Sequence, residues 1–139
     1  MGVRNVSRTV RSGTFRAGNG AVRAALALTR RYSRACGLQD ATAARLSVTV
    51  EELVANLCDH ATLPPEADIG LRLERGTGGT ALTLTDPAPP FDPRQARPPT
   101  DLPPERGGGA GLALIEAWAR IDGYATAGGR NTLQLWLPD

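Results

Sequence analysis

The spacing of apolar positions along this chain switches between a period of two and a period of roughly 3.6, and each switch marks an element. Residues 6–15 (VSRTVRSGTF) alternate loosely and predict a first strand, closed by Gly18, Asn19 and Gly20. From Ala21 to Cys36 the residues Val22, Ala25, Leu26, Thr29, Tyr32 and Cys36 recur at helical spacing, with Asn19 as a candidate N-cap and Gly37 placed to end the helix. Asp40 is the candidate cap of a second helix that runs to about Ala61 and stops before Pro64 and Pro65. Its apolar face is Leu46, Val50, Leu53, Val54, Leu57 and Ala61. Residues 67–75 and 80–86 alternate on either side of Gly76, Gly78 and Gly79, the pattern of an antiparallel hairpin. Eight prolines in the eighteen residues from Pro87 to Pro104 exclude helix and central strand and leave a loop or lid. Beyond it, Leu112, Leu114, Ile115, Trp118 and Ile121 form a helical stripe from Gly111 to Ile121, and a last hairpin turns at Gly128 and Gly129 into LQLWLP.

Helices interleaved with hairpins predict an α/β, more narrowly α+β, two-layer sandwich, with helices on one face of a mixed, mostly antiparallel sheet. At 139 residues and 41% hydrophobic content the chain is expected to be a single domain over 1–139. No run of about 18 apolar residues occurs, and the first twenty residues hold four arginines without an apolar stretch. Neither a membrane helix nor a signal peptide is expected, and the expected location is cytoplasmic. Cys36 and Cys58 fall inside predicted helices, with no Cys-x-x-Cys and one histidine in the chain, so reduced, half-buried thiols are expected in place of a zinc site.

Charge narrows the chemistry further. All sixteen basic residues are arginine. Without lysine there is no P-loop, no eukaryotic-type kinase strand lysine and no Schiff base, so phosphate charge must be met by arginine, a metal ion or backbone N–H groups. The net charge of +2 divides into nine arginines against Asp40 alone in residues 1–45, and seven arginines against thirteen acids afterwards. Such a basic first third suits an acidic protein surface or the acidic half of a second copy, or is simply a solvated face. Nucleic acid fits least, because only Phe15 and Tyr32 supply aromatics there and no binding motif is present.

Three segments carry candidate chemistry. On the second helix Glu52, Asn56 and Asp59 share a stripe apart from the apolar face. Such stripes are usually solvated, yet this one lacks the arginine found elsewhere, and asparagine is a poor helix former. A carboxylate and an amide one turn apart suit magnesium-nucleotide chemistry: Asn56 offers a hard oxygen to Mg²⁺, and Glu52 could accept a proton from an attacking hydroxyl or water. Asp86 ends the alternating segment LTLTD. Before Pro87 it serves equally as a turn former, but in a nucleotide pocket a pure acceptor would match the exocyclic amine of adenine. Finally, ERGGGAGLALIEAW opens a helix with Gly107, Gly108, Gly109 and Gly111, which offers N–H groups to an anion or else acts as a hinge. It is not a Rossmann fingerprint, since Leu112 stands where the third glycine belongs. Arg106 could supply the guanidinium that no lysine can.

Taken in order, the helix with Glu52 and Asn56, the strand-end Asp86 in DPAPPFDP, and the glycine run resemble the N, G1 and G2 boxes of the anti-sigma regulatory factor family, serine protein kinases of the GHKL (histidine kinase-like ATPase) superfamily. The Pro-Phe-Asp-Pro continuation after the aspartate is the specific clue, and the resemblance extends to the closing GRNTLQLWLP. It implies a Bergerat ATP-binding fold with an ATP lid at about 87–108. It also implies Glu52 as catalytic base, Asn56 as magnesium ligand, Asp86 as adenine-binding aspartate and Arg106 as a phosphate contact. Ala88 and Phe91, the run Gly107, Gly108, Gly109, Ala110, Gly111 and Leu112, and Thr132 would complete the nucleotide site. Two departures stand out: Ala88 occupies a position where the G1 box usually has glycine, and Ala110 follows an unusual triple glycine. The function implied is that of an ATP- and Mg²⁺-dependent protein serine/threonine kinase in a partner-switching pathway. Its partners would be a sigma factor or analogous target and a small STAS-type antagonist, and it would act as a homodimer. The alternative is a nucleotide-gated binding module that sequesters its target without chemistry.

Overall fold

The computed structural model describes residues 8–92 and 115–139. In chain order the elements are β1 (Val10–Arg16), α1 (Ala21–Cys36), α2 (Asp40–His60), β2 (Asp68–Gly76), β3 (Gly79–Asp86), β4 (Arg120–Ala127) and β5 (Arg130–Pro138). The strands form one sheet in the order β1-β2-β3-β5-β4, and every pairing among the described residues is antiparallel. The sheet anticipated as mixed is therefore wholly antiparallel within these residues, because each pair of strands consecutive in the sheet runs in opposite directions.

Strand alternation sorts the sheet into two unlike faces. Ile69, Leu71 and Leu73 of β2, Leu82 and Leu84 of β3, and Leu133, Leu135 and Leu137 of β5 are buried together with Leu28 of α1 and with Leu46, Val50 and Val54 of α2. Residues at the alternate positions, Arg72, Thr83 and Gln134 among them, are exposed or half-buried. The helices thus cover one face, as the patterns of the two long helices require.

Both long helices lie close to their predicted limits. Gly37 closes α1 at φ 62, a left-handed conformation that suits a residue without Cβ, and the N–H groups of Gly37 and Leu38 bond back to the carbonyls of Arg34 and Ser33. The caps at the other ends differ from expectation. Gly20 and Gln39 occupy the N-cap positions with no side-chain cap bond, while Asp40 lies inside the first turn of α2, where its charge still favours the helix dipole. On α1 the buried stripe is Ala21, Ala25, Leu28, Thr29, Tyr32 and Ser33, so Leu28 takes the inner position expected of Leu26.

Two strand limits also move. β1 begins at Val10, since its ladder runs from Val10 opposite Glu74 to Arg16 opposite Asp68. Ile121, anticipated on the stripe of the last helix, is in β4 opposite Leu135. Among the described residues of that segment 115–118 are helical, and an apolar residue at position 121 satisfies a strand as readily as a helix. Gly128 and Gly129, at φ 60 and 76, make the two-residue turn between β4 and β5. Cys36 and Cys58 are free and half-buried. Among the described residues no helix is long and apolar enough to cross a membrane.

A polar contact crosses the core between α1 and the sheet. The hydroxyls of Tyr32 on α1 and Thr80 on β3 share a hydrogen bond of 2.7 Å, and both residues are almost wholly buried. Burial pushes the Tyr32 hydroxyl up to about 12, with the Thr80 bond pulling the other way. The folded protein therefore holds the proton more tightly than the unfolded chain, whose tyrosines titrate near 10. The resulting stability is fully present below about pH 10 and is lost as pH rises toward 12. Tyr32→Phe should cost ~1–3 kcal/mol at neutral pH by stranding the Thr80 hydroxyl. In urea melts repeated across the alkaline range, the variant should lose less stability above pH 10 than the wild type; parallel losses would remove Tyr32 as the cause.

Candidate functional site

Asp86 is the last residue of β3 and falls in phase with Thr80, Leu82 and Leu84, so its side chain lies on the helix side of the sheet, 6% exposed. A buried carboxylate needs donors. The ladder supplies them, because Asp86 stands directly opposite Asn131 of β5. Asp86 Oδ1 accepts from the Ala88 N–H at 2.9 Å and from Asn131 Nδ2 at 3.0 Å. Asn131 Nδ2 also donates to the Ala88 carbonyl at 2.8 Å, and Asn131 Oδ1 accepts from the Thr126 hydroxyl at 2.9 Å. Oδ2 of Asp86 has no hydrogen-bond partner among the described residues.

Farther along the same segment the Phe91 N–H donates to the Tyr124 hydroxyl at 2.8 Å, while the Phe91 ring is 64% exposed. Residues 86–91 are thus held to the β4–β5 hairpin through Asn131, Thr126 and Tyr124. A β-bulge makes this reach possible. Ile121 faces Leu135 and Tyr124 faces Leu133, so four residues on β4 span three on β5, with the irregularity between Ile121 and Gly123. The extra residue shifts the phase of β4 and turns Tyr124 and Thr126 to the side of Asp86.

Ala88, the departure from glycine, is buried and does not have a positive φ, so its methyl group sits there without backbone strain. Glu52 and Asn56 lie one turn apart on α2, both half-buried, while Asp59 is exposed. Neither Glu52 nor Asn56 makes a hydrogen bond or ion pair among the described residues, and none links them to Asp86. Thr132 stands elsewhere than expected. It pairs with Thr85, and alternation puts it on the face opposite Asp86, so Asn131 occupies the place beside the carboxylate. Arg106, Gly107, Gly108, Gly109, Ala110, Gly111 and Leu112, with most of the lid at 87–108, lie outside the described residues.

The residues that sequence reasoning did not single out are Asn131, Thr126 and Tyr124. Asn131 follows a Gly-Gly-Arg turn and reads as turn chemistry, and the bulge falls in RIDG, where Gly123 within the strand is its local mark. The signal for Asn131 itself was that it is the sole polar residue in phase with Leu133, Leu135 and Leu137.

A family model described as the histidine kinase-like ATPase domain matches residues 15–136. The chain belongs to this family. Among solved structures, one from Mycobacterium tuberculosis containing the RsbU and RsbW domains of Rv1364c is similar, with a TM-score of 0.61 and 20% identity. The similarity covers 94% of this chain and 32% of that one, so the family member described here spans about a third of its neighbour, and the likeness is one of fold. No curated protein matches the chain.

The Tyr124 contact is open to a direct measurement. Tyr124→Phe removes the acceptor for the Phe91 N–H, and a bond of about 1 kcal/mol corresponds to roughly fivefold to tenfold faster amide exchange at that position. The amides of Leu82 and Leu84 should be unaffected; a uniform acceleration would mean that the hydroxyl supports the whole sheet.

Proposed function

We propose that this chain is an ATP-binding regulator of the anti-sigma type that phosphorylates a serine or threonine of an antagonist protein. The observation that carries the reading is Asp86, a buried strand-end carboxylate with one oxygen doubly engaged and the other without a hydrogen-bond partner among the described residues, in a member of an ATPase domain family. A carboxylate only accepts, and adenine offers an exocyclic amine where guanine offers a carbonyl. Pro-Phe-Asp-Pro after Asp86 and the RsbW domain in the similar structure favour the anti-sigma branch.

Glu52 would take the proton of the attacking hydroxyl, and Asn56 would present its amide oxygen to Mg²⁺. The donor set suits that ion: Asn56 is half-buried with no competing hydrogen bond among the described residues. No cluster of three or more His, Cys, Asp or Glu gathers among those residues, and magnesium commonly takes one or two protein ligands, with phosphate and water completing its shell. When bound, Mg²⁺ would offset phosphate charge. Arg106 and the glycine run would meet the phosphates from a lid at about 87–108, within a single domain over 1–139.

The partners would be a sigma factor or analogous target, a STAS-type antagonist and a second copy of the chain, in the cytoplasm. For the protein partners, Arg23, Arg30, Arg31 and Arg34 lie exposed on α1 and form no ion pair among the described residues, which suits an acidic protein surface.

Calorimetry should show ATP binding strengthened by Mg²⁺, and Asn56→Ala should abolish that gain; equal affinity with EDTA and with Mg²⁺ would remove the metal role. Glu52→Gln should retain ATP binding while label transfer from γ-labelled ATP to the antagonist encoded nearby falls ~10²–10⁴-fold. Wild-type protein that sequesters its target and never labels the antagonist would instead be the binding module.

A further inference from the structure

We infer that Asn131, with Thr126 behind it, is the positioning residue that sets base selectivity, by fixing which oxygen of Asp86 meets the nucleotide. The inference rests on the reading of Asp86 as the adenine acceptor and goes beyond it to the residues that make that acceptor directional.

A carboxylate has two equivalent oxygens, and rotation about its last bond can present either. Here the equivalence is broken. Oδ1 receives both the Ala88 N–H and the Asn131 amide, and the second amide proton of Asn131 is taken by the Ala88 carbonyl. The amide itself has one workable orientation. Its nitrogen lies between two acceptors, Asp86 Oδ1 and Ala88 O, and turning it over would set three oxygens against one another. The Thr126 hydroxyl, donating to Asn131 Oδ1, holds that orientation from the far side. Asn131 is 2% exposed, so water cannot readily take over its bonds.

Each polar atom of the Asn131 side chain points at a protein atom, and Asp86 Oδ2 is left without a hydrogen-bond partner among the described residues. A pinned acceptor discriminates more sharply than a mobile one. An amine in front of Oδ2 is bound without any cost of ordering the carboxylate, whereas a carbonyl there faces an oxygen that cannot swing away. Released from Asn131, the carboxylate would turn to water and accommodate both bases. Asn131 would then act through Asp86, without a bond of its own to the nucleotide.

The test is calorimetric titration of the full chain with ATP and with GTP, each with Mg²⁺, for wild type, Asp86→Asn, Asn131→Ala, Thr126→Val and Thr126→Ser. Asn131→Ala should weaken ATP about tenfold and leave GTP unchanged or slightly tighter, so that the ATP-to-GTP ratio collapses. Thr126→Val should lower the ratio in the same direction by a smaller factor, and Thr126→Ser, which keeps the hydroxyl, should restore it. Thr126 is exposed, so its variants carry the test even if Asn131→Ala does not fold. A structural role alone would lower the melting temperature and keep the wild-type ratio in every folded variant, and that result overturns the inference. Wild type with equal affinity for ATP and GTP would instead overturn the adenine reading of Asp86, and this inference with it. A wild-type preference lost in Asp86→Asn but kept in both Asn131→Ala and Thr126→Val leaves the reading standing and rejects the inference.

Discussion

The register of β3 against β5 is the constraint on which the rest of this molecule depends. Leu82 opposite Leu135 and Leu84 opposite Leu133 put four leucines on the helix face, and the same ladder, two residues on, sets Asp86 opposite Asn131. Because side chains alternate with a period of two, a slip by one residue would send the leucines to the open face. It would also separate the carboxylate from its amide. Core and site are thus not independent achievements: the hydrophobic term that selects the register, ~1.5–3 kcal/mol for each large side chain buried, also sets the polar geometry at the end of the strand.

The helix layer is referred to the same strand. Leucine contacts between α1 and the sheet tolerate small rotations, since dispersion is weakly directional, whereas the bond between Tyr32 and Thr80 does not. Thr80 and Asp86 share one face of β3, so the strand that bears the candidate acceptor is also the one to which α1 is pinned. At the far end of the sheet Arg75 and Asp139 form a two-pronged ion pair that holds Asp139 low, but the pair is largely solvated and adds little to stability.

Much of this was legible in the chain before folding. Gly37 and the proline pair Pro64 and Pro65 bounded the helices, and strict alternation in LTLTD and LQLWLP revealed the central strands, because both signals are local. Asp86 was legible for the same reason: it ends an alternating run. That Asn131 and not Thr132 faces Asp86 was not legible, since choosing between neighbouring strand positions needs the register, and register is a property of two strands at once. The bulge after Ile121 left only Gly123 as a local mark, because the spacing that β4 must match is fixed in the partner by Leu133 and Leu135. Glu52 and Asn56 were read from helical spacing, and spacing alone says where they lie on α2, not what they meet.

The network around Asn131 has a bearing on how such a site can change. Its atoms alternate strictly between donor and acceptor, from the Thr126 hydroxyl through the amide to the carboxylate and the Ala88 peptide. An acid at position 131 would put two carboxylates side by side, and an amide at position 86 would keep the bond from Asn131 only if its oxygen faced that residue. Few single replacements preserve the alternation, so the residues opposite one another at 86 and 131 are coupled as heritable characters: lineages that alter one should alter the other, and the pair should be read together when descent in this family is traced.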